Sequence, residues 1–186
     1  MMSLIPDFKI GWCNGWLGTI PIILSMIILF ISNRGAAKRA VNMSAYTVRE
    51  KCQTFVSTFV FFGTVFYSVV LPIRLGTMWF YIGLIIYACG CIPYIISIVN
   101  FAFTPSNEPI VKGVYKISRN PMYFFSALTL LGIGIGCASC FMIMLVILHT
   151  AINHLTVLAE ENYCFEKYGK SYRKYMKNVP RYFLFF

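Results

Sequence analysis

Apolar residues fall in long runs along this chain, and the polar residues collect between them. The runs near 16–32, 54–73 and 77–103 each approach the roughly 20 apolar residues that cross a bilayer as a helix. The third is long enough to tilt, and Pro93 predicts a kink within it. A fourth run, 122–158, has 37 residues. That is too many for one span, so a turn near 136–139 is expected to fold it into a tight helical hairpin. The pattern predicts an all-α polytopic membrane protein with about five transmembrane helices. Beyond the hairpin, Phe165, Tyr168, Tyr172 and Tyr175 recur at spacings of three and four among lysines and arginines. This predicts C-terminal amphipathic helices lying in the interface, with Gly169 ending one and Ser171 capping the next.

Composition agrees. Hydrophobic residues make up 59% of the 186 and charged residues 12%, against roughly a quarter charged in a soluble domain. One membrane domain is expected, with N-terminal helices in 1–74 and the chemistry in 75–186. The N-terminus lacks a basic region and a small-residue cleavage site, so the first run is expected to stay as a helix. Fourteen of the sixteen lysines and arginines fall in the first loop, the third loop and the tail. The positive-inside rule then puts these segments, and any site they build, on the cytoplasmic side. Net charge +10 therefore reads as topology and attraction to anionic membrane lipids. No soluble basic face exists for nucleic acid.

Three motifs reduce to packing. Gly132-Ile133-Gly134-Ile135-Gly136 looks like part of a dinucleotide loop but has no preceding strand. Gly132 and Gly136, four apart, suit close helix contact instead. The seven cysteines, Cys137-x-x-Cys140 included, form neither a disulfide framework nor a paired metal motif, and no metal is expected. His149 and His154 are five apart and point to different helix faces. His149, Asn153, Thr156 and Glu160 do share one stripe, and such stripes join membrane helices by hydrogen bonds.

Two polar clusters remain. Gly113, Tyr115, Arg119, Asn120 and Tyr123 precede the hairpin, and Glu160-Glu161 follows it. An antiparallel pair of helices would bring both to one membrane face, where polar groups persist only with partners.

The order Gly-x-Tyr, Arg-Asn-Pro-Met-Tyr, hairpin, Glu-Glu, Tyr-Gly-x-x-Tyr-x-x-Tyr and Pro-Arg-Tyr resembles the isoprenylcysteine carboxyl methyltransferase and phospholipid methyltransferase superfamily. The likeness covers roughly residues 75–186. It implies a membrane-embedded methyltransferase that encloses S-adenosylmethionine in its C-terminal half. Glu160 and Glu161 would then face the cofactor ammonium, with Glu160 on the polar stripe. Arg119 would hold the carboxylate, Asn120 would add a hydrogen bond, and Tyr115 and Tyr123 would contact the ribose, adenine or sulfonium. Gly113 opens the motif. Members usually carry histidine where this chain has Asn120, and asparagine cannot carry a proton.

The acceptor is expected to be lipophilic, either an isoprenylcysteine-type carboxylate or a phospholipid amine. A carboxylate needs no base and would be oriented by Arg181 or Arg173. An amine must first lose a proton, and no histidine lies near the motif in sequence, which favours a carboxylate or thiolate. The aromatic tail, 172–186, would fold over the cofactor. A nicotinamide-dependent reductase related to sterol reductases, a non-catalytic membrane protein and a small transporter are the competing classes. The chain is short for the first, and no charge sits mid-span for the last.

Overall fold

The computed structural model describes residues 2–4 and 6–183. Its regular structure is helical throughout the described residues. In chain order come α1 (Trp16–Ser32), α2 (Arg34–Ala40), α3 (Val48–Ser68), α4 (Met78–Ala102), a 3-10 turn (Gly113–Lys116), α5 (Pro121–Gly136), α6 (Cys140–Tyr168) and α7 (Lys170–Asn178). Each apolar run has become a helix, and the hairpin turn falls between Gly136 and Cys140. Helices α4 and α6 are long and apolar enough to cross a bilayer, while α1 and α5 are apolar but shorter. Large side chains face outward all round, with Ile31 75%, Phe59 80% and Phe66 76% exposed. A soluble monomer rarely presents such a surface.

Three boundaries differ from the sequence pattern, each for a local reason. Helix α3 begins at Val48 rather than near 54, because Thr47 and Glu50 form a reciprocal capping box. Helix α6 continues to Tyr168 rather than stopping near 158, so Glu160 and Glu161 sit inside it rather than after it. Both carboxylates find partners there, which allows the helix to outrun its apolar stretch. At the next boundary Gly169 does end α6, with φ +55°, but Ser171 does not cap α7. Its hydroxyl donates back to the Tyr168 carbonyl at 2.8 Å.

The hairpin glycines let two helices approach closely. A Cβ on Gly83 of α4 would collide with the backbone of Gly132 and Gly136, and one on Gly132 would lie 2.5 Å from the Tyr87 nitrogen. A Cβ on Gly90 would meet the Thr129 nitrogen at 2.5 Å. Helices α4 and α5 therefore touch backbone to backbone, as small residues permit in membranes. His149 and Asn153 of the polar stripe of α6 face α3. Ser57 donates to Asn153 at 3.0 Å, and His149 lies against Phe61 with ring centroids 5.6 Å apart. All seven cysteines are free.

The connections sort onto two ends. At one end Ser3 pairs with Ser139, Asn14 with Pro72, and the Arg74 nitrogen donates to the Gly136 carbonyl. At the other, Asn33 donates to the Ala102 carbonyl, and Arg39 donates to the Thr104, Pro105 and Glu108 carbonyls. Asn42 donates to the Tyr163 hydroxyl there at 3.0 Å. The basic first loop, third loop and tail thus share one end.

The glycine seam gives a contrast. Gly83→Val should destabilise the protein by about 1–3 kcal/mol through overpacking. Gly63→Ala, in α3 where a Cβ meets nothing within 4 Å, should be neutral or stabilising by up to about 1 kcal/mol. Thermal unfolding in detergent separates the two.

Candidate active site

Pro121 occupies the first turn of α5, where its missing N–H is no loss, and Asn120 holds the N-cap. Ser118, Arg119 and Asn120 lead into that helix, and the tail latches onto them. The Arg119 nitrogen donates to the Pro180 carbonyl at 2.9 Å, and the Ser118 hydroxyl donates to the Arg181 carbonyl at 3.0 Å. Helix α7 adds a third tie, since Tyr175 donates to the Tyr115 carbonyl at 2.6 Å. Tyr172, Tyr175 and Val179 are buried together. The segment through Phe183 is therefore docked on the motif; residues 184–186 of the expected cover lie outside the described residues.

Glu161 is the centre of this assembly. Arg119 grips it through Nε at 3.0 Å and Nη2 at 3.4 Å, Asn120 donates to it at 2.7 Å, and Arg181 donates Nε and Nη2 at 3.0 and 2.9 Å. The side chains of Arg119 and Glu161 are each only 3% exposed. Arg119 spends its remaining donor nitrogen, Nη1, on the Met176 and Val179 carbonyls at 2.7 and 3.0 Å. Arg181 is less enclosed, and its Nη1 has no partner among the described residues. Its bonds to Glu161 raise its already high pKa further. One carboxylate between two guanidiniums leaves a net charge of +1.

Glu160, one residue earlier, has a different environment. It accepts a short hydrogen bond from Tyr123 and has no ion pair among the described residues. Tyr46 and Tyr115 stand in its field; burial first and the Glu160 charge second hold both hydroxyls well above their ordinary range. The Tyr115 hydroxyl and the Asn100 amide nitrogen are buried without a partner among the described residues. Gly113, with φ +59°, lies where a Cβ would run into that same Asn100 amide. A separate cleft of about 220 Å³ is bordered by Thr47, Glu50, Ala159, Asn162, Tyr163 and Glu166, and none of the clustered residues lines it.

The structure therefore brings together Gly113, Tyr115, Arg119, Asn120, Tyr123, Glu160, Glu161 and Arg181. Arg173 lies apart, with its guanidinium 5.1 Å over the Phe165 ring. Two participants were not legible from the motif. Tyr46 comes from the loop before α3, and His154 comes from the interior of α6 to meet the Tyr182 hydroxyl, with 3.1 Å between that oxygen and Nδ1. No period or spacing announces either.

The family model for phospholipid methyltransferase matches residues 74–171, more than half of the chain. The chain belongs to the phospholipid methyltransferase family. It is thus one of the integral membrane methyltransferases, and the matched region holds both α4 and α6 along with every expected cofactor residue. Arg173, Arg181 and Tyr182 lie beyond the family match, and Tyr46 precedes it. No curated protein matches the chain.

Removing the Glu161 charge leaves one buried guanidinium, Arg119, and one half-buried guanidinium, Arg181, without a counter-ion. Glu161→Gln should cost about 3–5 kcal/mol, as for other buried pairs broken on one side. It should also free the tail to proteolysis after Lys177, which limited digestion with mass spectrometry would detect.

Proposed function

We propose that this chain is an S-adenosylmethionine-dependent methyltransferase that crosses the membrane five times, with its site on the cytoplasmic side. The observation that carries the cofactor reading is the asymmetry of the carboxylate pair. Glu161 is neutralised twice over, while Glu160 has no cation and is surrounded by tyrosines. An ammonium group is the complement of such a place: it supplies the missing charge, and tyrosine rings attract cations. Among the two glutamates, Glu160 is the one free to bind it.

The other donors fit as well. The Tyr115 hydroxyl and the Asn100 amide are buried without partners among the described residues, and such groups cost stability unless a ligand satisfies them. They suit the hydroxyls and ring nitrogens of an adenosine. When bound, S-adenosylmethionine supplies a methyl group already activated on a sulfonium. What remains for the protein is to bind, align and exclude water, and alignment alone can contribute several kcal/mol. Arg119 is committed to Glu161 and to two carbonyls, so its part is to fix the floor and hold the tail. Asn120 shares that duty through Glu161. Arg181, with its spare Nη1, is the group left to orient an anionic part of the acceptor, a carboxylate or a phosphate. Arg173 does not adjoin the cluster and would serve at the membrane surface.

Sidedness supports the same reading. The end carrying the cluster also carries fourteen of the sixteen basic residues, and S-adenosylmethionine is a cytosolic metabolite. Reporter fusions at residue 107 and at the C-terminus should both give cytoplasmic signals; external signals would refute the orientation.

The binding test is calorimetry with S-adenosylhomocysteine. Wild type should bind it and should not bind a reduced nicotinamide. Glu160→Gln removes a charge-assisted contact worth about 1.5–3 kcal/mol, so affinity should fall roughly 10- to 150-fold. Unchanged affinity, with the fold intact, would remove Glu160 from the cofactor site.

A further inference from the structure

The cleft between the start of α3 and the last turns of α6 carries charge that the cluster does not use. Its border holds two carboxylates, Glu50 and Glu166, and no lysine or arginine. Neither carboxylate is in an ion pair among the described residues. On a chain of net charge +10, whose basic residues collect at this same end, that is a local reversal of sign. The cleft volume of about 220 Å³ falls short of the roughly 300–1,000 Å³ of a small-ligand site. Such a space suits a vestibule better than a complete site.

What the vestibule leads to follows from its wall. Ala45, Thr47 and Ala159 line it, and these are the chain neighbours of Tyr46 and Glu160. Successive residues on a helix differ in direction by about 100°, so Glu160 turns away from the cleft and meets Tyr123. Tyr46 is 8% exposed and turns inward between two exposed neighbours. Burial first, and then the charges of Glu160, Cys164 and Glu50, raise the pKa of its hydroxyl, as expected for a ring with the cluster on one side and the cleft on the other. On the cluster side Tyr115, 5% exposed, holds a hydroxyl with no partner among the described residues. The turn that carries Tyr46 is clipped on both sides. Asn42 donates to the Tyr163 hydroxyl at 3.0 Å, the Tyr46 nitrogen donates to the Met43 carbonyl at 3.2 Å, and Thr47 and Glu50 close the capping box.

We propose that Tyr46 is a gate between the cytosol and the Glu160 pocket, and that the Glu50–Glu166 cleft is the entrance that draws a cationic ligand to it. This rests on the cofactor reading above and adds how that same site is reached. S-adenosylmethionine carries an ammonium, a sulfonium and one carboxylate, so it arrives with a net positive charge. The basic loops around this end repel it, and the two carboxylates offer the exception. S-adenosylhomocysteine has lost the sulfonium charge and is neutral overall. The entrance therefore favours arrival of the methyl donor over its spent product, although the two share one pocket. Swinging the turn, with the Asn42 clip released and the capping box kept, moves the Tyr46 ring out of the way.

The experiment measures kon and koff for both ligands by surface plasmon resonance, with the full chain in phosphatidylcholine nanodiscs. The double variant Glu50→Gln/Glu166→Gln keeps the capping box, which accepts glutamine. Its kon for S-adenosylmethionine should fall roughly fivefold or more at low ionic strength, and the difference should vanish near about 0.5 M salt. Its kon for S-adenosylhomocysteine should stay within about twofold of wild type, a contrast that a misfolded protein would not give. A gate open about a tenth of the time or less slows entry and exit alike. Tyr46→Ala should therefore raise kon and koff together by about tenfold for both ligands, and Tyr46→Phe should keep wild-type rates. Asn42→Ala should show the same paired rise through the released clip. Wild-type rates in Tyr46→Ala and Asn42→Ala would overturn the gate. So would a rise in koff alone with a matching loss of affinity, which marks Tyr46 as a cofactor contact. Equal slowing of both ligands in the double variant would overturn the entrance. Wild type binding neither ligand would refute the cofactor reading and this proposal with it.

Discussion

The rest of the site depends on one buried carboxylate. Glu161 would be untenable alone beside the hydrocarbon, because an isolated charge there costs several kcal/mol. It persists because Arg119, Asn120 and Arg181 meet it from the start of α5 and from the tail. Those partners come from segments that the chain separates by 41, 42 and 20 residues. The attraction therefore closes two loops at once and decides where the tail lies. Once the tail is fixed, the Arg119 backbone pairs with Pro180, and Tyr182 arrives at His154.

A single knot of this kind also explains why two adjacent glutamates behave oppositely. Neighbours on a helix differ in direction by about 100°, so Glu161 points at the α5 start and the tail while Glu160 points at Tyr123 and the Tyr46 loop. With both cations drawn to Glu161, no guanidinium remains for Glu160. The outcome is a positive centre beside a negative one. That division suits a zwitterionic ligand better than two equal carboxylates would.

Much of the fold was legible in the sequence, and the reasons are physical. The hairpin turn followed from length, since 37 apolar residues cannot cross once. The glycine seam followed from spacing, since Gly132 and Gly136 share a face. The starting point of α3 could have been read from Thr47 and Glu50, whose spacing is a capping box, but the apolar pattern drew the eye to 54. The end of α6 was hidden because hydropathy falls at Glu160 while the backbone continues. Legibility ended at the site itself. The motif named its members but not their pairings, which depend on how a tail of mixed character turns back. Tyr46 and His154 belong to no motif and are reached only by tertiary contact.

The bilayer accounts for the vertical order of the site. Charged groups are cheapest at the helix ends, where water is near, and neutral hydrogen-bonding groups can lie deeper. Glu161 lies two turns before the end of α6 and holds Arg119 and Arg181 there, while His154 lies two turns further in, about 10 Å at the helical rise. Phe183 and the α5 rings mark the apolar limit of the tail.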